Sequence, residues 1–320
     1  MRPSIPAADE LLDKYFPVLD YGFVALKEYM GSDESIEEAA RVSYAYGTRK
    51  SSDTRTLIRS LVRRGHTSPL EMVELKFHCA MPIFVARQWI RHRMASVNEM
   101  SGRYSLMPML FYHPTPEQVQ AQSKKDKQGR YGWLPAKTVN SFLDRVGRSA
   151  QEHRNWYHWA TENDIARELA RINLPLNVYT QWYWKIDGNN LFKTLSLRCD
   201  EHAQWETRQY FNVIAGITKR VLPITFEAWE DYHFNARKFS RMEMSFIREL
   251  IKVTKNGGLR VVLQSVERKD LEELMTKTEV EEMLAKLTDS KIEHFDLDLS
   301  SAKDPQFFED LYRRNSEFRK

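Results

Sequence analysis

Three adjacent side chains, Arg91, His92 and Arg93, place two fixed cations beside an imidazole. They precede a run of small and polar residues, ASVNEMSG over 95–102, that ends at Arg103. Arginine binds phosphate bidentately, and small residues let backbone N–H groups approach an anion closely. The stretch therefore suits a multiply charged ligand. Taken alone, the three basic residues favour a plainer alternative, a solvated helix end where the macrodipole attracts cations.

A second candidate, Arg198, continues an apolar stripe that begins with Leu191 and Leu195 and runs on to His202 at helical spacing. Burying an unpaired guanidinium is costly, so Arg198 must meet either a carboxylate or a bound ligand. From the residues alone, an internal ion pair, for example with Glu206, and a ligand contact are about equally supported.

A third candidate, Arg171, falls in a predicted helix over 163–174, whose core stripe would be Ile165, Leu169 and Ile172. Arg167 lies one turn before Arg171, on another face of the same helix. An arginine on a helix is usually solvated, so this position carries little weight by itself.

The stretch RHRMASVNEMSGRYS, residues 91–105, closely resembles the signature of the flavin-dependent thymidylate synthases. A match over fifteen contiguous residues is far more specific than a three-residue motif. The resemblance extends over about 19–232 and includes three further segments, GHTSPLE (65–71), ARELARINLPLNVYTQWYW (166–184) and LSLRCDEHAQWE (195–206).

The resemblance implies methylation of dUMP to dTMP, with 5,10-methylenetetrahydrofolate as carbon donor and FAD, reduced by NADPH, as hydride source. The flavin carries much of such chemistry, while the protein supplies placement and electrostatics. Arg198 is the implied catalytic residue, because a permanent cation at the uracil edge favours the ionised ring. The implied dUMP ligands are Gln88, Trp89, Ile90, Arg91, Glu99, Met100, Ser101, Gly102, Arg103, Arg171 and Arg198.

The same resemblance implies an FAD site, with the adenosine end near Asp187. Its implied members are Ser68, Arg91, His92, Arg93, Glu99, Asp187, Gly188, Asn189 and Lys193. The chain departs from the family pattern at Asn189 and Lys193, where His or Asn is frequent, at Met72, where His is frequent, and at Gly188, which replaces a side chain able to pack. No metal ligands are predicted.

Composition limits the other possibilities. The chain has 320 residues, 42% hydrophobic and 29% charged, which is ordinary for a globular protein that is not embedded in a membrane. The sequence contains no apolar run of membrane-spanning length, and the N-terminus lacks a signal-peptide pattern, so we expect a cytoplasmic protein without membrane partners. A net charge of +4 is too small to indicate nucleic-acid binding. The two cysteines, Cys79 and Cys199, predict neither a disulfide framework nor an activated nucleophile.

The elements that must position these residues predict an α+β fold, with a central, mostly antiparallel sheet flanked by long helices. The clearest strand is 73–79, where apolar and polar residues alternate. A helix is expected from Pro82 onward, with Gln88 and Arg91 sharing one face. We expect a catalytic domain over 1–234 and a small α+β C-terminal extension over 235–320, in which 291–299 and LRVVLQSV (259–266) look like strands.

Two further expectations concern the working protein. A homotetramer is expected, because the basic segments must surround dUMP, FAD and folate, and the family builds its sites at subunit interfaces. The competing hypothesis is a catalytically impaired nucleotide- or flavin-binding homologue with a regulatory role. A nucleic-acid-binding protein that uses the arginine clusters is a third possibility, which predicts steeply salt-dependent binding.

Overall fold

The computed structural model describes residues 4–43, 53–124, 128–253, 259–261, 276–288 and 291–316. Its centre is a five-stranded antiparallel sheet in the order β1-β2-β3-β5-β4. The strands are β1 Tyr15–Val18, β2 Gly22–Met30, β3 Glu74–Pro82, β4 Ser96–Glu99 and β5 Tyr179–Asp187. The predicted α+β class with an antiparallel sheet is confirmed.

Most of the remaining described elements are helices and short helical turns. The helices that precede β5 are α1 Pro6–Asp9, α2 Asp33–Arg41, α3 Thr54–Arg64, α4 Ile83–Trp89, α5 Ala136–Glu162 and α6 Arg167–Ala170. Those that follow it are α7 Gly188–Arg198, α8 Trp205–Val221, α9 Pro223–Trp229, α10 Arg241–Leu250, α11 Lys277–Thr288 and α12 Pro305–Ser316. Short 3₁₀ turns occur at Ser68–Met72, Pro116–Gln118, Arg171–Asn173 and Leu299–Ser301, and Glu230–Phe234 forms a π-helical turn.

Strand β3 forms the middle of the sheet, as its alternating sequence predicts. Leu75, Phe77 and Cys79 are fully buried, and β3 pairs with β2 on one side and β5 on the other. Its register with β5 runs from Glu74 opposite Asp187 to Pro82 opposite Tyr179. This pairing fixes the start of β3 beside the end of β5.

The helix after β3 is shorter than the sequence predicts. Pro82 is the last residue of the strand and caps the helix, and α4 ends at Trp89. Arg91 therefore lies beyond the helix, and the predicted shared helical face of Gln88 and Arg91 is wrong. The helix ends where a buried aromatic cluster begins, since Trp89 packs against Trp182.

The helix predicted over 163–174 is also wrong in its extent. Asp164 adopts a left-handed φ of 58°, and only Arg167–Ala170 is α-helical before the turn at 171–173. Leu169 is 56% exposed and Ile172 is 72% exposed, so these residues do not form a core stripe. Ala170 is the buried residue of α6.

Two compact units divide the chain. The first comprises 1–229 together with 295–320, and the second comprises 230–294. Residues 295–320, which the sequence grouped with the extension, thus belong to the first unit, where Phe308 of α12 packs against Tyr15 and Phe23.

Within the second unit, β6 Ile251–Val253 pairs antiparallel with β7 Leu259–Val261, and Lys286 of α11 donates to Glu243 of α10 at 2.8 Å. The strand predicted over 259–266 is confirmed at 259–261, and 262–266 lie outside the described residues. The strand predicted over 291–299 is wrong, because 291–298 have no regular structure. No described helix is both long and apolar enough to cross a bilayer.

Candidate active site

Arg198 ends α7, a helix whose first turn is capped by Asp187 accepting from the Asn190 N–H at 2.9 Å. Its Nε donates to His92 Nε2 at 2.8 Å, and an Nη donates to the Gln88 carbonyl oxygen at 2.9 Å. Arg198 is half-buried, and no carboxylate pairs with it anywhere in the described ranges. Its guanidinium is therefore positioned by neutral acceptors and keeps its full charge for another group.

His92 is the neutral partner in this contact. Burial, together with the charge of Arg198, lowers the pKa of His92 to about 4. An arginine always donates, so the accepting Nε2 carries no proton and the neutral ring holds its hydrogen on Nδ1. His92 thus orients Arg198 without adding a second positive charge.

A cavity of about 1550 Å³ opens beside Arg198. Gln88, Arg198 and the start of α8 line part of it, and residues of 115–124 and 128–131 form another part of its wall. The sequence predicts that 108–135 is a surface loop or lid. Its described part forms this wall, although Leu110 and Tyr112 near its beginning are buried.

The buried acid of this cavity is Glu206, whose side chain is 4% exposed. Its Oε1 accepts from Arg130 at 3.0 Å and from the Tyr112 hydroxyl at 3.1 Å. Its Oε2 accepts from the Gln204 amide at 3.0 Å, and Gln204 in turn accepts from the Gln88 amide. The Arg198–Glu206 ion pair that the sequence left open is not formed, because Glu206 pairs with Arg130.

The predicted stripe beyond Arg198 is not continuous. The helix ends at Arg198, and His202 is exposed, with Nδ1 2.8 Å from Asp200 Oδ1. Leu191 and Leu195 are buried as predicted. The stripe is interrupted because α7 ends at Arg198 and the next helix, α8, begins at Trp205.

The signature segment continues into β4 and a tight turn. Glu99 accepts from the Thr180 hydroxyl at 2.7 Å, and the Met100 N–H donates to the Gln181 carbonyl at 2.9 Å. These bonds hold the turn that follows against β5. Ser101 Oγ accepts from the Arg103 N–H at 3.2 Å, which closes the turn.

Gly102 and Arg171 come together at this turn. A Cβ on Gly102 would lie 3.2 Å from Arg171 Cδ and 2.8 Å from Met107 Sδ, so the glycine allows the arginine to approach. The Arg171 side chain has no hydrogen bond or ion pair among the described residues, whereas exposed Arg103 pairs with Glu168 at 3.0 Å. The structure therefore brings together two of the segments in which the sequence predicts dUMP ligands.

Part of the predicted FAD site lies at the other end of β5, whereas His92 contacts Arg198 at the far end of α7. The register places Glu74 beside Asp187, and Lys185 beside Ser96 of β4, so the turn at 68–72, the start of α7 and the start of β4 lie at the same end of these strands. Asn189 donates to Glu71 at 3.0 Å. A Cβ on Gly188 would lie 2.7 Å from the Leu70 carbonyl oxygen, so this position needs glycine.

Several of the predicted FAD ligands are exposed to solvent. Ser68, Arg91, Arg93 and Lys193 are exposed, and within the described part of the chain neither Arg91 nor Arg93 has a hydrogen bond or ion pair. The uncompensated guanidiniums of Arg91 and Arg93 fit a cofactor that carries phosphates. Asn189 is 6% exposed, and its side-chain amide already donates a hydrogen bond to Glu71.

Two predicted dUMP ligands differ sharply in accessibility. Ile90 is 41% exposed at the end of α4, whereas Trp89 has no exposed surface. The Trp89 ring packs against Trp184 and Phe211. Its contact with a ligand stays a prediction that requires its neighbours to move.

Sequence reasoning assigned no role to Arg130, Tyr112 or Gln204. Gln204 lies in the HAQWE stretch just after Arg198, so a closer reading of that motif would have found it. Arg130 lies 76 positions from Glu206, in a polar stretch that gives no signal of a partner.

The chain is similar to known proteins in sequence and in structure. Residues 25–224 match the family model described as thymidylate synthase complementing protein. The chain is 46% identical over 265 residues to the flavin-dependent thymidylate synthase of Gluconobacter oxydans (strain 621H), covering 81% of this chain and 88% of that protein. It is 48% identical over 239 residues to the enzyme of the same name from Dictyostelium discoideum, covering 72% and 78%.

A solved structure is also similar. The UMP/dUMP methylase PolB from Streptomyces cacaoi, bound with 5-Br UMP, aligns with a TM-score of 0.61 and 29% identity. The alignment covers 68% of this chain and 97% of that one.

Proposed function

This chain belongs to the flavin-dependent thymidylate synthase family, and we propose that it methylates dUMP to dTMP. The carbon comes from 5,10-methylenetetrahydrofolate, and the hydride comes from FAD that NADPH has reduced. Relatives named for this activity and a structural neighbour named as a dUMP methylase support the transfer of a methyl group to dUMP.

The observation that carries the proposal is the state of Arg198. It faces a cavity, is held by His92 and a peptide carbonyl, and has no carboxylate partner among the described residues. A half-buried guanidinium in this state stabilises negative charge that develops on a bound ligand. At the uracil edge, Arg198 favours the ionised ring and makes the methyl-accepting carbon more electron-rich.

The dUMP phosphate is proposed to lie at the turn around Gly102, where Arg171 approaches without a partner. Backbone N–H groups of a tight turn and an uncompensated guanidinium form a suitable anion site. The proposed dUMP ligands remain Gln88, Trp89, Ile90, Arg91, Glu99, Met100, Ser101, Gly102, Arg103, Arg171 and Arg198.

The flavin is proposed to bind at a site formed by the turn at 68–72, the segment 91–96 and the start of α7. Arg91 and Arg93 hold its phosphates, and Ser68 and Asp187 hold its polar groups. The close fit of Gly188 against Leu70 keeps these two segments together. When bound, the flavin supplies the hydride that completes the methyl group.

The alternative proposal is a catalytically impaired homologue that binds nucleotide or flavin and has a regulatory role. Exposed Lys193 and the second unit, 230–294, are its support. Both proposals predict a yellow protein whose flavin absorption changes when dUMP is added. Only the enzyme proposal predicts that this protein, supplied with NADPH and the folate without oxygen, converts dUMP to dTMP.

We also propose that the chain acts as a cytoplasmic homotetramer. Exposed apolar side chains support association, among them Leu169 at 56%, Ile172 at 72% and Leu176 at 63%. Monomeric proteins rarely expose neighbouring large apolar residues in this way. Their position next to Arg171 suits sites built from more than one subunit.

A further inference from the structure

We propose that Arg130 is a positioning residue: it neutralises Glu206 and thereby leaves Arg198 free for dUMP. This inference rests on the proposed function. Arg130 belongs to the part of the cavity wall formed by residues of 115–124 and 128–131, and it touches neither Arg198 nor any predicted dUMP ligand through a hydrogen bond within the described ranges.

The cavity contains a buried acid whose charge must be neutralised. Among the acids that line the cavity, Glu206 is buried, while Glu117 and Glu201 are exposed. A buried carboxylate without a cationic partner is strongly unfavourable, because desolvation is not repaid. Arg130 provides that partner at 3.0 Å.

Several contacts hold the Arg130 guanidinium in place. One Nη donates to Glu206 and the other to the Gln118 carbonyl oxygen at 3.0 Å. Its guanidinium lies 5.6 Å from the centre of the Trp205 ring, within the range of a cation–π contact. These contacts leave the pairing of Glu206 little freedom to change.

A series of hydrogen bonds links Glu206 to Arg198. Gln204 donates to Glu206 and accepts from the side chain of Gln88, and the backbone carbonyl of Gln88 accepts from Arg198. Glu206 and Arg198 are thus separated by two glutamines in the wall of one cavity. Without Arg130, the unpaired Glu206 carboxylate can turn towards Arg198, which is a cation lining the same cavity.

That outcome would restore the ion pair that the sequence leaves open for Arg198. A guanidinium engaged by Glu206 has less charge to offer an ionised uracil. The same shift would pull Gln204 away from Gln88, a predicted dUMP ligand. Arg130 therefore acts on substrate binding through a partner rather than by contact.

The experiment compares Arg130→Ala, Glu206→Gln and the double variant Arg130→Ala/Glu206→Gln, with Arg148→Ala as control. Arg148 is an exposed arginine paired with Asp144 at 2.6 Å, so its removal tests the loss of a surface charge. For each folded variant, dUMP affinity is measured by calorimetry, and KM for dUMP and kcat by dTMP formation. The melting temperature reports any purely structural effect.

We expect Arg130→Ala to raise the Kd and KM for dUMP by about tenfold or more, an effect of the size seen when a buried charge loses its partner. Glu206→Gln and the double variant should stay within about threefold of the wild type, because neither contains the unpaired acid. Arg148→Ala should match the wild type.

A folded Arg130→Ala protein with unchanged Kd and KM, even with a lower melting temperature, overturns the proposal. A double variant that binds dUMP poorly also overturns it, whether or not the single variant folds. If the wild type itself does not bind dUMP, the proposed function fails first; wild-type binding with either overturning result defeats this inference alone.

Discussion

Arg198 combines a fixed charge, partial burial and neutral partners, and these three properties define its predicted effect. Replacing it by alanine removes the group that is proposed to stabilise charge on the uracil ring. We expect Arg198→Ala to lower turnover by about a hundredfold or more, equivalent to roughly 3 kcal/mol of transition-state stabilisation. The measurement is kcat for dTMP formation at saturating dUMP.

The fold should survive this change, because Arg198 ends a helix and pairs with no acid in the described part of the chain. Arg148→Ala again serves as the control for charge removal at an exposed site. Near-normal turnover of Arg198→Ala, or loss of its circular dichroism, would mean that Arg198 has a structural role instead.

Histidine protonation gives a second prediction at this scale. Burial lowers the pKa of both His92 and His78 to about 4, against 6.5 for a free histidine. The unfolded chain therefore binds more protons than the folded one between pH 6.5 and 4, and the contribution of these residues to stability falls as pH falls through that window. Above pH 6.5 the contribution is complete.

Isotope-labelled histidine, followed by NMR, checks this directly. The imidazole signals of His92 and His78 should remain those of neutral rings at pH 5.5, and the variant His92→Gln should lack the first of them. A His92 signal that titrates near 6.5 would show that the ring does not serve as a neutral acceptor for Arg198.

Most of the candidate site residues could be named from the sequence because the signature is contiguous. Ser101 and Gly102 follow Arg91 closely, and a tight turn needs little tertiary information. The pairing of Arg130 with Glu206 was not predictable, because a polar loop encodes no partner in its own sequence. Only the fold decides which buried acid an arginine meets.

At the scale of elements, the junction between the turn at 68–72 and the start of α7 depends on Gly188. We expect Gly188→Ala to destabilise the protein by roughly 1–3 kcal/mol, because the added methyl would lie 2.7 Å from the Leu70 carbonyl oxygen. It should also weaken flavin binding, since the two segments that are proposed to hold the flavin would move apart. Urea unfolding and flavin titration measure the two effects.

Gly147→Ala is the matched control. Gly147 lies inside α5, where an added Cβ meets nothing within 4 Å. This substitution should stabilise the protein by about 0.5–1 kcal/mol through helix propensity, with no effect on flavin. If Gly188→Ala behaves like Gly147→Ala, the junction is looser than the structure implies.

The elements were predicted where one face is buried and the other is solvated. Strand β3 shows this alternation, and Gly65 ends α3 with a left-handed φ of 70° as its type suggests. The helix over 163–174 was predicted wrongly because Leu169 and Ile172 imitate a core stripe while facing outward. Apolar periodicity cannot distinguish a core from a surface that another subunit covers.

At the scale of the whole molecule, those outward apolar residues lead to the prediction of a homotetramer. Light scattering should give four times the mass of the chain. Mixing the inactive variants Arg198→Ala and Ser101→Ala under conditions that exchange subunits should restore part of the activity, because some mixed sites then carry neither lesion.

Restored activity requires that Arg198 and Ser101 reach one site from different chains. A mixture that stays inactive after proven exchange, or a fully active monomer, would contradict the shared site. The separate grouping of 230–294 is not needed for this result, since both residues belong to the first unit.

The most direct test of the central claim is tritium release from dUMP labelled at the fifth ring carbon, because methylation must replace that hydrogen. With purified protein, FAD, NADPH and methylenetetrahydrofolate under anaerobic conditions, the account predicts tritium in water and an equal amount of dTMP, both dependent on the folate. Full flavin occupancy with bound dUMP but no tritium release and no dTMP would contradict it.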